Sequence, residues 1–418
     1  MRMKFSRSSQ LVLVAAASLV AASLITACET LTVDFVFVAS TRAAGANNYG
    51  EIDVFEINSE SGRMRQIPTS PFPSEGRNPV AEAVSADDQN LFVVNHDDNT
   101  IVQLIIGNDG KLYPYNTVNT PGIFPLAIAT SKSNVFVVDT YQPLPLCSPA
   151  DPCSGSIAVY PLTAATSSTP IGLGTAATNP AVNAQYWPLT LTGANASHVI
   201  VPTAVNVSAS GAYVYVTAYD SSVTPSAGYV FGFSVGSGGA LTAVPGSPFA
   251  AGIQPSAIAS DAKSAFVYVT DSVRGNVLGY SVSATTGTAG ALTALSGSPY
   301  PAGNDPTGVV VDPSYAYAYV SNSTDATVTA YSMSSTGVLT RINSYATGLQ
   351  PVAIGIDPST NHFLFTVNFL DNTVSDFELS TTAGTLLDAQ FSPFPTNAQP
   401  VAAAAIPHNG TGGGVGSH

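Results

Sequence analysis

Apolar positions along this chain gather in short runs rich in aromatic and β-branched residues, each bounded by Gly, Pro, Asn or Asp. Seven stand out: "FVFVAS" from Phe35, "LFVVNH" from Leu91, "VFVVDT" from Val135, "YVYVTA" from Tyr213, "FVYVTD" from Phe266, "YAYVSN" from Tyr317 and "HFLFTV" from His362. Runs of this length and composition predict β-strands. Six of them are preceded by a recurring phrase, as in "QPSAIASD", "DPTGVVVD" and "QPVAIGID". The phrase occurs seven times, led by Pro79, Pro125, Pro202, Pro255, Pro306, Pro351 and Pro400, and the second residue after each Pro is Ala or Gly. Past the first residues, almost no stretch of a dozen residues keeps a helical apolar period without a Gly or Pro break. The chain reads as all-β.

The spacing of the runs lies near the ~40–50-residue period of propeller blades, with only the third unit much longer. The expected fold is a single seven-bladed β-propeller over residues 34–407. In each blade the Pro phrase is the innermost strand A, since Pro opens a strand without needing an N–H and the small residue after it permits close packing at the axis. The aromatic run is strand B. A loop then leads to strand C, a Gly-rich hairpin to strand D, and a loop containing "SPF" or "SPY" to the next blade. In this register the chain starts at a strand B and ends on a strand A, "QPVAAAAIP". That last strand should complete the first blade and leave no open edge.

The exceptional first segment, "MRMKFSRSSQLVLVAAASLVAASLITAC", has a basic start, an apolar run too short to span a bilayer, and small residues before Cys28. This is the pattern of an export signal. "ITAC" resembles the lipobox of bacterial lipoproteins, which implies a signal over 1–27, lipidation at Cys28, a short tether over 28–33 and, with Glu29 next, the outer membrane. The expected membrane contact is the lipid alone. Residues 408–418, "HNGTGGGVGSH", read as a disordered tail. After signal removal nine Lys and Arg face 26 Asp and Glu, a net charge near −17, which argues against a nucleic-acid partner. Cys147 and Cys153, in "CSPADPC", are expected to pair in an oxidising compartment.

"VGSGGALTAVPGSPFAAGIQPSAIASDAKSAFVYVTD" resembles the repeat of the β-propeller lactonase (6-phosphogluconolactonase-like) family, and "FVYVTDSVRGNV" is similar to the YVTN repeats of bacterial surface propellers. The resemblance implies the propeller fold and, as an activity, lactone hydrolysis. Those lactonases place a His beside the Pro of an inner strand and often a Glu after the Asn that ends strand B. Neither feature stands here, and an exported protein would not meet a cytosolic phosphosugar.

Insertions in repeat arrays collect on one face. Here the long B–C and D–A loops share one side, the top, and include "STRAAGANNYG" and two insertions in the third unit. Candidate ligand-binding residues there are Asp97, Asp98, Asp139, Asp271, Asp325 and Asp371, with Asp220 in the same pattern, together with His198, Tyr186 and Trp187. The acids either serve their own turns or form a rim for a cation or basic partner. Trp187 either stacks on a sugar or pins its own loop. For catalysis the candidates are Glu82, which replaces the aliphatic residue found three places after the other prolines, and His96, Arg77 and Arg274, with Arg42 as a further cation. Arg77 is a candidate ion-pair partner for Glu82. No metal site and no cofactor is called for. The expected role is a monomeric, envelope-anchored scaffold whose top face binds a carbohydrate, a lactone or an envelope protein; the alternative is a lactone hydrolase.

Overall fold

The computed structural model describes residues 32–408, except 146, 165–169, 315 and 398. Cys28 and the signal segment therefore lie outside the described residues. Seven small antiparallel sheets form a ring of blades. Blade 1 runs outward from Pro400–Pro407 through Thr32–Ala44 and Tyr49–Asn58 to Met64–Gln66. Blades 2 to 7 begin at the inner strands Pro79–Val84, Ile123–Thr130, Ile200–Val207, Pro255–Ser260, Pro306–Val311 and Pro351–Ile356. The ring closes as the repeat order requires: Pro400–Pro407 pairs antiparallel with Thr32–Ala44, from Asp34 opposite Pro407 to Ser40 opposite Pro400. Thr32 and Pro407 thus share the bottom face. His408, expected in the tail, is ordered, because its N–H reaches the Val33 carbonyl at 2.7 Å and its ring packs edge-on against Phe35.

The repeated residues have repeated tasks. At each inner strand the Pro and its follower oppose one residue of strand B, a bulge present in all seven blades. The small residue next to it sits where space is short: a Cβ on Gly308 would lie 2.7 Å from Ile354 of the next blade. The hairpin glycines between strands C and D seat on the aromatic residue that opens strand B of the preceding blade. Gly337 has φ +80°, and a Cβ there would meet the Phe266 ring at 2.5 Å; Gly384 stands likewise against Tyr317 and Gly110 against Phe35. No L side chain fits that geometry without strain.

The "SPF" and "SPY" segments belong to the sheets rather than to loops. Strand D is broken in two at a cis Ser-Pro bond, and its second piece returns to strand C, as Phe249–Ala250 does opposite Tyr229 and Val230. The preceding serine fills the gap: Ser70, Ser247, Ser298 and Ser392 each accept the N–H of a strand C residue at 2.8–3.0 Å. Apolar clusters lie between neighbouring blades, such as the one joining Val36 and Val38 of blade 1 to Phe365 and Val367 of blade 7.

Candidate functional site

On the top face the acids of the B–C loops follow one rule: each carboxylate clasps the loop that leads into the inner strand of its own blade. Asp98 accepts the Arg77 N–H at 2.8 Å and its Nε–H at 2.6 Å. Asp271 takes the N–H groups of Ile253 and Gln254 at 2.8 and 3.2 Å. Asp325 takes the N–H of Asn304 at 2.8 Å, Asp371 that of Leu349 at 2.6 Å, and Asp139 that of Gly122 at 3.2 Å. Asp139 and Asp271 are fully buried. Burial pushes the Asp139 carboxyl up to about 7, against the Thr120 and Gly122 contacts that lower it. These acids satisfy backbone donors that would otherwise be unpaired, and among the described residues no group of three or more His, Cys, Asp or Glu is arranged to hold a metal.

The two candidate histidines, His96 and His198, each have a carboxylate. His96 Nδ1 lies 2.7 Å from Asp97, and its ring stacks on Phe124 with centroids 4.5 Å apart. His198 Nδ1 lies 2.6 Å from Asp220, a buried acid that also accepts the Ser222 N–H at 2.9 Å. The two pairs belong to different blades. Arg274 approaches Asp271 only to 4.0 Å and is mostly exposed, and Arg42 is exposed.

The two aromatic candidates are not open to a ligand. Trp187 is buried and its Nε1–H donates to the Leu241 carbonyl of blade 4 at 3.0 Å, so the indole pins its insertion to the neighbouring blade; Tyr186 is buried beside it. A disulfide joins Cys147 and Cys153, whose Cα atoms are 5.4 Å apart.

Glu82 faces the seam between blades 1 and 2, close to Ala39 and Ala404. The corresponding side chains elsewhere, such as Ile128 and Ile258, join the apolar clusters between blades. The expected ion pair with Arg77 is absent, because Asp98 holds that guanidinium outside at the rim. Both Glu82 oxygens are buried without a hydrogen-bond partner. Burial raises its carboxyl to about 8, and the backbone of Ala39 and Ala404, near but outside hydrogen-bonding geometry, lowers it only in part.

Two of the hollows among the described residues lie at the rim of this face between blades 1 and 2. One hollow of about 450 Å³ is bounded by Asn47, Tyr49, Glu75, Arg77, Asp98 and Thr117, with Thr100 in its wall. A second, of about 260 Å³, shares Asn47, Tyr49 and Glu75 and extends past Glu51 to Pro71. The two form one groove around Tyr49. Glu75 holds a positive φ of 56°, a conformation uncommon for a residue with a side chain. Sequence reasoning reached Asp98 and Arg77 but missed Tyr49 and Thr100, although Tyr49 ends the "STRAAGANNYG" insertion.

The chain is a seven-bladed β-propeller, and part of it is similar to the lactonase propellers. A family model described as "Lactonase, 7-bladed beta-propeller" matches residues 227–399. Similar solved structures include a candidate 6-phosphogluconolactonase from Bacteroides fragilis, 18% identical, with 90% of this chain and 99% of that one covered and a TM-score of 0.66. Another from Bacteroides uniformis is 19% identical over the same shares, with a TM-score of 0.68. The periplasmic gluconolactonase of Pseudomonas aeruginosa is 16% identical, again over 90% and 99%, with a TM-score of 0.67. At such identities the likeness establishes fold, and activity must be argued from the site. A search of the curated proteins finds no match.

Proposed function

We propose that this protein is an envelope lipoprotein held by Cys28, whose propeller acts as a binding scaffold through its top face. The observation that carries the reading is the occupation of the ionisable groups on that face. His96, His198 and Arg77 are each engaged by a carboxylate, and the B–C loop acids clasp backbone amides. Lactone opening needs a base for water and a donor for the oxyanion converging on one carbonyl, whereas these groups are spread over separate blades. Orientation supports the scaffold. Thr32 starts at the bottom face, and the chain from Cys28 to Thr32 spans roughly 13 Å when extended, so a lipid on Cys28 would turn the bottom to the membrane and the top away from it.

Cys28→Ser should move the protein from the membrane fraction to the soluble one; retention in the membrane fraction would overturn the anchor. The second reading, a lactone hydrolase, is favoured by the His198–Asp220 pair, in which a buried carboxylate fixes the imidazole as a general base requires. A pH-indicator assay of lactone opening decides between them. The scaffold reading expects no efficient turnover of 6-phosphogluconolactone by wild type, and rapid turnover lost in His198→Ala, His96→Ala or Glu82→Gln would establish the enzyme.

A further inference from the structure

We infer that the groove between blades 1 and 2 is a saccharide site, with Tyr49 as the platform for a sugar ring and Thr100, Thr117 and Asn47 as partners for its hydroxyls. This rests on the top-face binding reading and names its ligand class. The first support comes from the repeat. In blades 6 and 7 the Asn that ends strand B closes off the hydroxyls of strand C. Asn322 donates its amide to Thr327 at 3.1 Å and to Thr329 at 2.9 Å, and Asn368 to Thr373 at 3.0 Å and Ser375 at 2.9 Å.

Blade 2 has the same Asn and the same first hydroxyl, Asn95 opposite Thr100, but Val102 stands where Thr329 and Ser375 stand in the other blades. With that acceptor missing, the Asn95 amide turns to the Ser74 carbonyl at 3.5 Å. Thr100 Oγ1 and Asn95 Oδ1 are both buried and without a partner. Buried polar atoms are seldom left unpaired, and Thr100 belongs to the wall of the groove. Turned toward the hollow, the Thr100 hydroxyl would meet a ligand hydroxyl and gain the bond that Asn322 and Asn368 supply elsewhere.

The second support is the remaining chemistry. Arg77 and Asp98 neutralise one another across the rim, which leaves Asn47, Thr100 and Thr117, the carboxylates of Glu51 and Glu75, and one aromatic ring common to both hollows. An aromatic face with a few placed polar groups suits the apolar face and the equatorial hydroxyls of a sugar. The Glu75 carboxylate, at the same groove, can accept hydroxyls from either hollow.

The test is calorimetric titration of the full chain with maltotriose and with chitotriose, with spermidine as a cationic probe. Wild type should bind at least one trisaccharide. Tyr49→Ala should weaken that binding by at least about tenfold and Thr100→Val by roughly three- to tenfold, as expected for a lost platform and a lost hydrogen bond. Thr100→Ser should restore it, and Arg341→Ala, on the outer strand Leu339–Ala346 of blade 6, should leave it unchanged. Folding of each variant is checked by its melting temperature. Binding of spermidine alone, or of neither trisaccharide by folded wild type, would overturn the saccharide site. Saccharide binding lost in His198→Ala but kept in the groove variants would also overturn it, while leaving the top-face reading intact.

Discussion

Blades 4 to 7 and blades 1 to 3 are joined in different ways. In the first arc a strand B tyrosine crosses each seam. The hydroxyls of Tyr215, Tyr268 and Tyr319 donate to the hairpin carbonyls of Gly290, Gly337 and Gly384 in the next blade, at 2.8, 2.6 and 3.3 Å. Nearer the axis, Ser256 and Thr307 donate to the carbonyls of Pro306 and Pro351 at 2.5 and 2.7 Å. From blade 7 round to blade 3 the tyrosine position holds Phe365, Phe37, Phe92 and Phe136, so that polar stitch is missing. The same arc holds the buried carboxyls of Glu82, Asp34 and Asp53, raised by burial to about 8, 8 and 6, and the insertions of blade 3. The family model matches residues 227–399, within the stitched arc. Regular seams keep the repeat recognisable, and the irregular arc is where the protein departs from it.

The comparison breaks most severely at the closure. Removing residues 398–418 deletes the inner strand of blade 1 and bares an unpaired strand edge, whereas removing 409–418 leaves Pro400–Pro407 intact. The longer truncation should lose cooperative unfolding in a thermal melt, and the shorter should melt as wild type. Equal melts would show that the irregular arc does not depend on its clasp.

Next in size is Glu82. Its folded carboxyl binds a proton more tightly than the unfolded chain does, so its contribution falls as pH rises from about 4.5 to about 8, by on the order of 4 kcal/mol. Glu82→Ile makes the seam like its counterparts at Ile128 and Ile258 and should raise stability at pH 8 while flattening the pH dependence of urea unfolding. Asp34 and Asp376, also raised by burial, would keep a residual slope of the same sign. An unchanged slope in Glu82→Ile would mean the carboxyl is hydrated.

The smallest effect tests the stitched arc itself. Tyr268→Phe removes the bond to Gly337 and leaves a buried carbonyl unpaired, a cost of about 1–2 kcal/mol in chemical denaturation. A loss below measurement would make the tyrosine stitch ornamental and the two arcs equivalent.

The fold was legible because period and register are written in residues whose tasks are local: a Pro where a strand opens, a small residue at the axis, an aromatic run behind it. The candidate site was less so. A loop Asp looks the same in sequence whether it faces solvent or, like Asp271, is fully buried on the amides of Ile253 and Gln254. Trp187 read as platform or, with more weight, as pin, and its Nε1–H on Leu241 makes it the pin. Thr100 carried a signal only in comparison: among the blades whose strand B ends in Asn95, Asn322 or Asn368, it is the one followed two places on by an apolar residue, Val102, where Thr329 and Ser375 stand in blades 6 and 7.

The placement of Thr32–Ala44 between Pro400–Pro407 and Tyr49–Asn58 has a mechanical consequence. Load reaching the propeller through the residues before Thr32 pulls along the axis of a strand bonded on both sides, and antiparallel bonds lie across that direction. They are strained together in shear instead of parting one at a time. The seam that closes the ring is therefore also the part of the molecule best placed to bear tension.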